Sequence, residues 1–327
     1  MIVVTGAAGF IGSCIVHSLN KDGRTDLLLC DWLLSDQRWQ NLRKASFQDL
    51  IPPEILLETL GRTRVSAVIH MGANSATTAT DGDSVLRTNF RATLDLVDWC
   101  TEHQVPLVYA SSAATYGDGE SGFVDDFSFA ALDRLRPLNL YGWSKHVVDK
   151  IVADRFERGK PLPPRCIGLK FFNVYGPNEY HKDGMMSVVA KNYNKAIKGQ
   201  AVDLFESHRE GYANGGQLRD FIHVDDVVSV TRWLLEHPNA PRVGTFNVGT
   251  GRAQSFAELV GALFKACGHT PNINYVPMPE EIRDRYQYFT EASLTNLRAA
   301  GYDRSFLDVE QGVARYVEVL GRPDRYL

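Results

Sequence analysis

Residues 2–12 read Ile-Val-Val-Thr-Gly-Ala-Ala-Gly-Phe-Ile-Gly, a strand-like run that turns through three glycines into a helical pattern. Each glycine answers its own steric demand. Gly6 makes the tight turn, Gly9 lets backbone N–H groups approach a pyrophosphate, and Gly12 lets the helix pack closely on the sheet. The partial positive charge of the helix N-terminus favours an anion at the same place. A glycine-rich loop alone is a weak signal, but strand, turn and helix in this order form a dinucleotide-binding fingerprint. Asp31 ends the next strand about 20 residues on, where a carboxylate accepts from ribose hydroxyls and favours NAD. Arg38 and Arg43 follow closely, and a guanidinium there suits a 2′-phosphate instead. Charge alone leaves NAD and NADP both open.

The remaining pattern fits an open parallel sheet. Ile2–Thr5, Leu27–Cys30, Ala67–His70, Leu107–Ala110 and Cys166–Phe171 are apolar without alternation, as strands buried on both faces are. Helical patterns at Gly12–Leu19, Pro53–Leu60, Asn89–Thr101 and Tyr141–Arg158 alternate with them. Beyond Asn173 shorter elements follow: helices at Val188–Lys198, Val227–Leu235 and Ser255–Cys267, a loop at Gly211–Gln217, and a strand at Thr245–Val248. The expected fold is α/β, a Rossmann-type doubly wound parallel sheet with a smaller α/β substrate-binding lobe. Residues 1–173 form the dinucleotide-binding domain and 174–327 mainly the lobe, with strands such as Thr245–Val248 returning to the main sheet.

Composition narrows the function class. A chain of 327 residues, 44% hydrophobic and 23% charged, is that of a folded protein large enough to enclose a site. Its net charge of −4 gives no basic field for nucleic acid. Apolar runs all stop short of the roughly 18–20 residues a membrane helix needs. Met1 leads straight into the first strand, which predicts no signal peptide. Cys14, Cys30, Cys100, Cys166 and Cys267 are widely spaced and form no CxxC pair. That spacing predicts no metal site and a reducing, cytoplasmic compartment.

Tyr141-Gly142-Trp143-Ser144-Lys145 places a phenol and an ammonium one helical turn apart on one face. A phenol titrates near 10 and is a poor base at neutral pH. The lysine ammonium one turn away, together with the positive charge of a bound nicotinamide, is expected to stabilise phenolate and pull that value toward the working range. Upstream, Tyr109-Ala-Ser-Ser-Ala-Ala-Thr-Tyr-Gly117 puts the Ser112 hydroxyl at the carboxyl end of a parallel strand, where open α/β sheets bind ligands. Ser112 then hydrogen-bonds the oxygen that Tyr141 protonates.

The glycine turn, Ser112, Tyr141 and Lys145 together resemble the cofactor loop and catalytic trio of the extended short-chain dehydrogenase/reductase family of nucleotide-sugar enzymes. Within it the likeness is to the branch that inverts C6 of ADP-heptose. It runs nearly end to end, through Phe172-Asn-Val-Tyr-Gly-Pro177, His181-Lys182, Arg219-Asp220-Phe221, Phe246-Asn-Val-Gly-Thr-Gly-Arg252, Arg285-Tyr286-Gln287 and Leu294-Thr-Asn-Leu-Arg-Ala-Ala-Gly-Tyr302. The resemblance implies a self-contained redox cycle on NADP, with NAD as the alternative, that supplies heptose for the lipopolysaccharide inner core. It implies Tyr141 and Lys182 as the two proton-transfer groups, with Lys145 supporting Tyr141 and Ser112 holding the oxygen. Cofactor contacts carried over are Gly6, Gly9, Phe10, Ile11, Gly12, Asp31, Trp32, Arg38, Met71, Gly72, Ala73, Asn74, Ser75, Thr88, Lys145, Val174 and Lys182. Substrate contacts are Ser112, Asn173, Gly184, Lys191, Phe205, Glu206, Ser207, His208, Arg219 and Tyr286. The implied assembly is a homo-oligomer, five subunits by family precedent, with no nucleic-acid or membrane partner.

The chain departs from the family pattern at several of these positions. Arg38 stands for lysine, Met71 for glutamate, Asn74 for cysteine, Gly184 for serine and Lys191 for histidine. The Ser207–Leu218 segment is about six residues longer and glycine-rich, which predicts a mobile loop over the nucleotide. Rival readings are a UDP-hexose 4-epimerase, which shares the Tyr, Lys and Ser, and a dinucleotide-sensing protein without turnover. Ala113-Ala114 stand where a 4,6-dehydratase has its acid and base, which argues against dehydration.

Overall fold

The computed structural model describes residues 1–283 and 286–327. Twelve strands are found among them: β1 (Ile2–Thr5), β2 (Leu27–Cys30), β3 (Asp49–Ile51), β4 (Ala67–His70), β5 (Leu107–Ser112), β6 (Cys166–Phe171), β7 (Asn173–Tyr175), β8 (Val202–Phe205), β9 (Leu218–His223), β10 (Val243–Val248), β11 (Ala253–Ser255) and β12 (Ile273–Val276). Seven form one parallel sheet in the order β10-β6-β5-β4-β1-β2-β3. From β1 the chain builds outward to β2 and β3, then crosses back to β4 and continues the other way. The order therefore reverses between β1 and β4, and the crevice at their carboxyl ends is the switch point where such sheets bind ligands.

Apolar residues on both faces explain why this sheet forms. Val4, Leu27, Leu29 and Ile69 pack with Ile15, Leu19 and Val227 on one side, and Val3, Leu28 and Val68 pack with Val97, Val148 and Val152 on the other. The helices Phe10–Lys21 and Val224–Glu236 cover the first face; Ala92–Glu102 and Leu140–Glu157 cover the second. β10 arrives from the second half of the chain and completes the sheet beside β6, as its apolar run predicts. A three-stranded sheet, β11-β9-β7, and the pair β12-β8 form the lobe. Its own core gathers Tyr175, Leu263, Phe264, Val313 and Tyr316.

Four of the five strands expected in the first half have the bounds read from the sequence; β5 runs two residues further, to Ser112. β3 was not expected, because Asp49-Leu-Ile is too short and charged to show an apolar run. The helix expected from Asn89 begins at Ala92 and is preceded by a π-helical turn, Leu86–Arg91. Apolar periodicity does not report such a turn, and π-turns gather at functional sites.

The packing of the glycine turn is close enough to test. A Cβ on Gly12 would lie 2.0 Å from the Gly6 carbonyl oxygen. Gly12→Ala is expected to destabilise the protein by about 1–3 kcal/mol, the cost of overpacking. Urea unfolding of the two proteins measures the difference.

Candidate active site

The phosphate end of the crevice is built from backbone. Gly6 has φ +63°, in the left-handed region, and a Cβ there would meet the Gly72 nitrogen at 2.6 Å. Gly9 caps the Phe10–Lys21 helix without any side-chain cap, which leaves the helix N–H groups open to an anion. Asp31 braces the turn: its carboxylate accepts from the Ala8 N–H at 2.9 Å and the Trp32 N–H at 2.8 Å. Burial raises the Asp31 pKa, and those N–H groups and Arg38 oppose the rise. Arg38 donates to both oxygens of Asp36 at 2.7–3.0 Å, and its nearest approach to Asp31 is 3.9 Å. Its fork is therefore already engaged. Across the crevice the Met71–Asn74 segment is half-buried and Ser75 is exposed. The Gly72 N–H donates to Thr5 Oγ1 at 3.1 Å. Phe10 is buried, Ile11, Thr88 and Val174 are half-buried, and Trp32 is exposed.

The Leu140–Glu157 helix starts at an Asn139 cap, whose side chain accepts from the Gly142 N–H at 2.8 Å. Gly142 sits against the turn after β5, where a Cβ would lie 2.6 Å from the Ala114 carbonyl oxygen. That approach brings the Tyr141 phenol to the Ser112 hydroxyl. Burial pushes the Tyr141 pKa up, and the hydrogen bond with Ser112 opposes the rise. In the protein by itself burial is the larger of the two influences on Tyr141. Burial also pulls the Lys145 ammonium down to about 8, with Asp149 opposing. Lys145 Nζ is buried and has no hydrogen-bond partner among the described residues. A buried ammonium without a partner among the described residues fits a ribose hydroxyl of a dinucleotide.

Lys182 lies on a short 3₁₀ segment, Tyr180–Met185, with its ammonium 5.4 Å from the centroid of the Phe10 ring. It is therefore next to the glycine turn. Burial lowers its pKa, buried Glu179 opposes the fall, and Lys191 adds to it. Asp183 follows with φ 45°, a conformation that favours glycine.

In the lobe, Arg219 on β9 is buried, and its guanidinium donates to the Leu218 carbonyl at 2.8 Å. Its guanidinium lies 5.1 Å from the Tyr286 ring centroid and 5.8 Å from that of Phe256. Phe205 meets Tyr286 edge-on at 6.3 Å. A buried guanidinium with no carboxylate partner among the described residues, lined by rings, suits an incoming anion with a flat base. Glu206 and Ser207 are half-buried, and exposed His208 donates its backbone N–H to Tyr288 Oη at 2.8 Å. Asn173, Gly184 and Lys191 are exposed. Arg285 lies outside the described residues. The loop expected to be mobile is tethered: the Gly215 N–H reaches the Phe205 carbonyl at 2.9 Å, and Tyr212 stacks edge-on to Tyr288 at 5.0 Å.

The NAD dependent epimerase/dehydratase family model matches residues 2–249. The chain is 44% identical over 338 residues to the ADP-L-glycero-D-manno-heptose-6-epimerase of Fusobacterium nucleatum, covering 100% of both chains. It belongs to that epimerase family. The crystal structure of the Helicobacter pylori ADP-L-glycero-D-manno-heptose-6-epimerase superposes with a TM-score of 0.77 at 25% identity, covering 97% of this chain and 94% of that one. A Thermus thermophilus UDP-glucose 4-epimerase complex with NAD gives a TM-score of 0.74 at 25% identity, covering 97% of each chain.

These likenesses correct one expectation about the epimerase. NADP was the first choice, as the resemblance implied, with NAD as the alternative; the solved structures resembling this one that name a nicotinamide cofactor hold NAD. The physical reason lies in the turn after β2. Arg38 is engaged by Asp36, and the Asp31 carboxylate would repel a phosphate.

Some residues of the site escaped sequence reasoning. Asn89, on the π-turn, accepts from the Asn74 N–H at 2.8 Å and donates to the Asn74 carbonyl at 2.9 Å and to Ser144 Oγ at 3.0 Å. It joins the cofactor-side loop to the Tyr141 helix. A polar residue four before Thr93 on an otherwise apolar stripe was the available signal. Asn41 donates to the Ala8 and Asn178 carbonyls at 2.9 and 3.0 Å, tying the glycine turn to the Lys182 segment; nothing local in the sequence marks it.

The lowered Lys145 pKa has a measurable sign. Between about 8 and its ordinary 10.5 the unfolded chain holds a proton at Lys145 that the folded protein does not. The unfolded state binds more protons there, so this group's contribution to stability rises with pH across that window. Urea titrations of the wild type and Lys145→Met are expected to show the smaller rise for the variant.

Proposed function

We propose that the protein converts ADP-D-glycero-β-D-manno-heptose to ADP-L-glycero-β-D-manno-heptose by inverting C6, with tightly bound NAD. What carries this reading is Tyr141 set against Ser112 at the carboxyl end of β5, in a chain alike over its full length to a heptose epimerase. Bound NAD supplies a reversible hydride acceptor, so that the hydride leaving C6 returns to the opposite face of a transient 6-ketone and no outside reductant is consumed.

The chain's own residues handle the proton and hold the sugar. Ser112 donates a hydrogen bond to O6, and Tyr141 removes or returns the O6 proton. Lys145, one turn from Tyr141, holds the nicotinamide ribose and favours the phenolate. A ketone that turns over presents its oxygen in a second direction, which calls for a second proton-transfer group; Lys182 takes that part. Its lowered pKa keeps a larger neutral fraction than an exposed lysine has. Arg219 takes the diphosphate of the sugar nucleotide, bidentately, with Tyr286 and Phe205 beside the base. Gly6, Gly9, Gly12 and Asp31 hold the dinucleotide. Residues 1–173 serve the cofactor and 174–327 mainly the sugar nucleotide.

The setting follows from the same reading: a cytoplasmic homo-oligomer, five subunits by family precedent, supplying heptose for the lipopolysaccharide inner core. Among the described residues no helix is long and apolar enough to cross a membrane. Free cysteines throughout the described chain suit a reducing compartment.

Purified protein incubated with either C6 epimer and no reductant is expected to yield the same epimer mixture by chromatography. No change in either, with turnover of a UDP-hexose, would make it a 4-epimerase. Tyr141→Phe is expected to lower kcat by about 10²-fold or more, the scale of general acid–base catalysis. Near-normal turnover by that variant would remove Tyr141 from the mechanism.

A further inference from the structure

Behind Tyr141 and Ser112 lies a polar cluster that the chemistry above does not use. Asp149 stands on the same helix, one turn beyond Lys145 and two beyond Tyr141, so the three share a face. Its carboxylate is fully buried. It accepts from Tyr109 Oη at 3.0 Å, from Ser111 Oγ at 2.7 Å and from Lys170 Nζ at 2.7 Å. Lys170 is buried as completely. It also donates to Thr115 Oγ1 at 2.9 Å, and that hydroxyl donates to the Ser112 carbonyl at 2.8 Å.

The connections span the elements that carry Ser112, Tyr141 and Lys145. Tyr109 and Ser111 are on β5, three residues and one residue before Ser112, and Lys170 pairs with Ser111 across the β5–β6 ladder. Thr115 lies in the turn after β5, against which Gly142 packs. β6 makes room for the arrangement: a Cβ on Gly168 would lie 2.7 Å from the Tyr109 hydroxyl.

Apolar side chains already hold this helix to the sheet, with Val148 and Val152 packing in the same core as Val97 and Leu107. A buried ion pair adds little to such packing, because desolvating the two charges offsets their attraction. Its distinctive property is direction. Apolar contacts tolerate a small slide or rotation of the helix, whereas four hydrogen bonds to two charged groups do not. Asp149 is also the anion whose field opposes the desolvation of Lys145.

We propose that Asp149 and Lys170 are positioning residues of the reaction: the pair holds the Tyr141–Lys145 helix in register with the Ser112 strand, and Asp149 supplies the counter-charge for the Lys145 ammonium. This rests on the reading of Tyr141, Lys145 and Ser112 as the reacting groups. The groups facing Asp149 are Tyr109 and Ser111 from β5, Lys170 from β6, and Lys145 and His146 from its own helix.

The test is steady-state kinetics on ADP-manno-heptose with the full-length protein, in three variants. Asp149→Asn is expected to lower kcat about tenfold or more, with KM within about twofold of wild type, because orientation of the reacting groups is lost and binding is not. Asp149→Leu/Lys170→Met removes both charges; it is expected to regain the thermal stability of the wild type while kcat stays low. Tyr109→Phe deletes one hydrogen bond and no charge, and is expected to fold normally and lower kcat by about 2–10-fold at unchanged KM. Wild-type kcat in Tyr109→Phe or in the double variant overturns the proposal, as does a loss confined to KM. Tyr141→Phe run beside them separates the two readings. If it is inactive while the Asp149 and Tyr109 variants turn over normally, the positioning role alone fails; if it too is fully active, the assignment of the reacting groups fails.

Discussion

The closeness of the turn after β1 to the backbone of β4 governs the rest of this molecule. Only glycine at position 6 leaves room for the Gly72 nitrogen, and only glycine at 12 leaves room for the Gly6 carbonyl. The helix N-terminus is thereby brought to the carboxyl edge of the sheet, where the strand order reverses. A dinucleotide laid across that edge meets backbone N–H groups on one side and the end of β5 on the other. The Leu140–Glu157 helix obeys the same steric rule, with Gly142 admitting the Ala114 carbonyl. The glycine turn and the helix that carries Tyr141 and Lys145 are both placed by backbone approaching backbone.

Upon this apolar scaffold the chain has laid polar ties that run between elements rather than along them. Asn41 joins the glycine turn to the segment carrying Lys182, Asn89 joins the cofactor-side loop to the Tyr141 helix, and Asp149 joins that helix to β5 and β6. Asn89 and Asp149 are buried with their polar atoms in hydrogen bonds, which is the condition for a polar group in the interior not to destabilise it; Asn41 is held through its side-chain N–H groups. Their benefit is geometric. Proton and hydride transfers demand alignment to fractions of an ångström, which non-directional packing does not enforce.

The legible part of the site was the part encoded locally. Gly6–Gly12, the Tyr141–Lys145 spacing and Ser112 at a strand end each state their requirement within a few residues, and the strands from Ile2 to Phe171 show themselves as unbroken apolar runs. The lobe was harder. β7, β8, β11 and β12 are short and partly exposed, and β9 mixes Arg219, Asp220 and His223 with its apolar residues, so their periodicity is slight, and they are stabilised by distant partners such as Phe221 beside Asn173. Charge read along the chain left NAD and NADP both open at Arg38, because only the folded structure shows its neighbour Asp36 holding it. The burial that raises the Tyr141 pKa likewise leaves no mark in the Tyr-x-x-x-Lys spacing.

Local chemistry, then, dictated the doubly wound sheet, the dinucleotide turn and the identity of the phenol, ammonium and hydroxyl, because each depends on residues a few positions apart. The tertiary structure decided which charges are free and which are engaged, how far burial moves each proton, and how the lobe's Arg219 and Tyr286 come together. Apart from the Arg38–Asp36 pair, two residues apart, those outcomes depend on groups tens to hundreds of residues apart, whose meeting is set by three-dimensional packing and leaves no periodic trace in the chain.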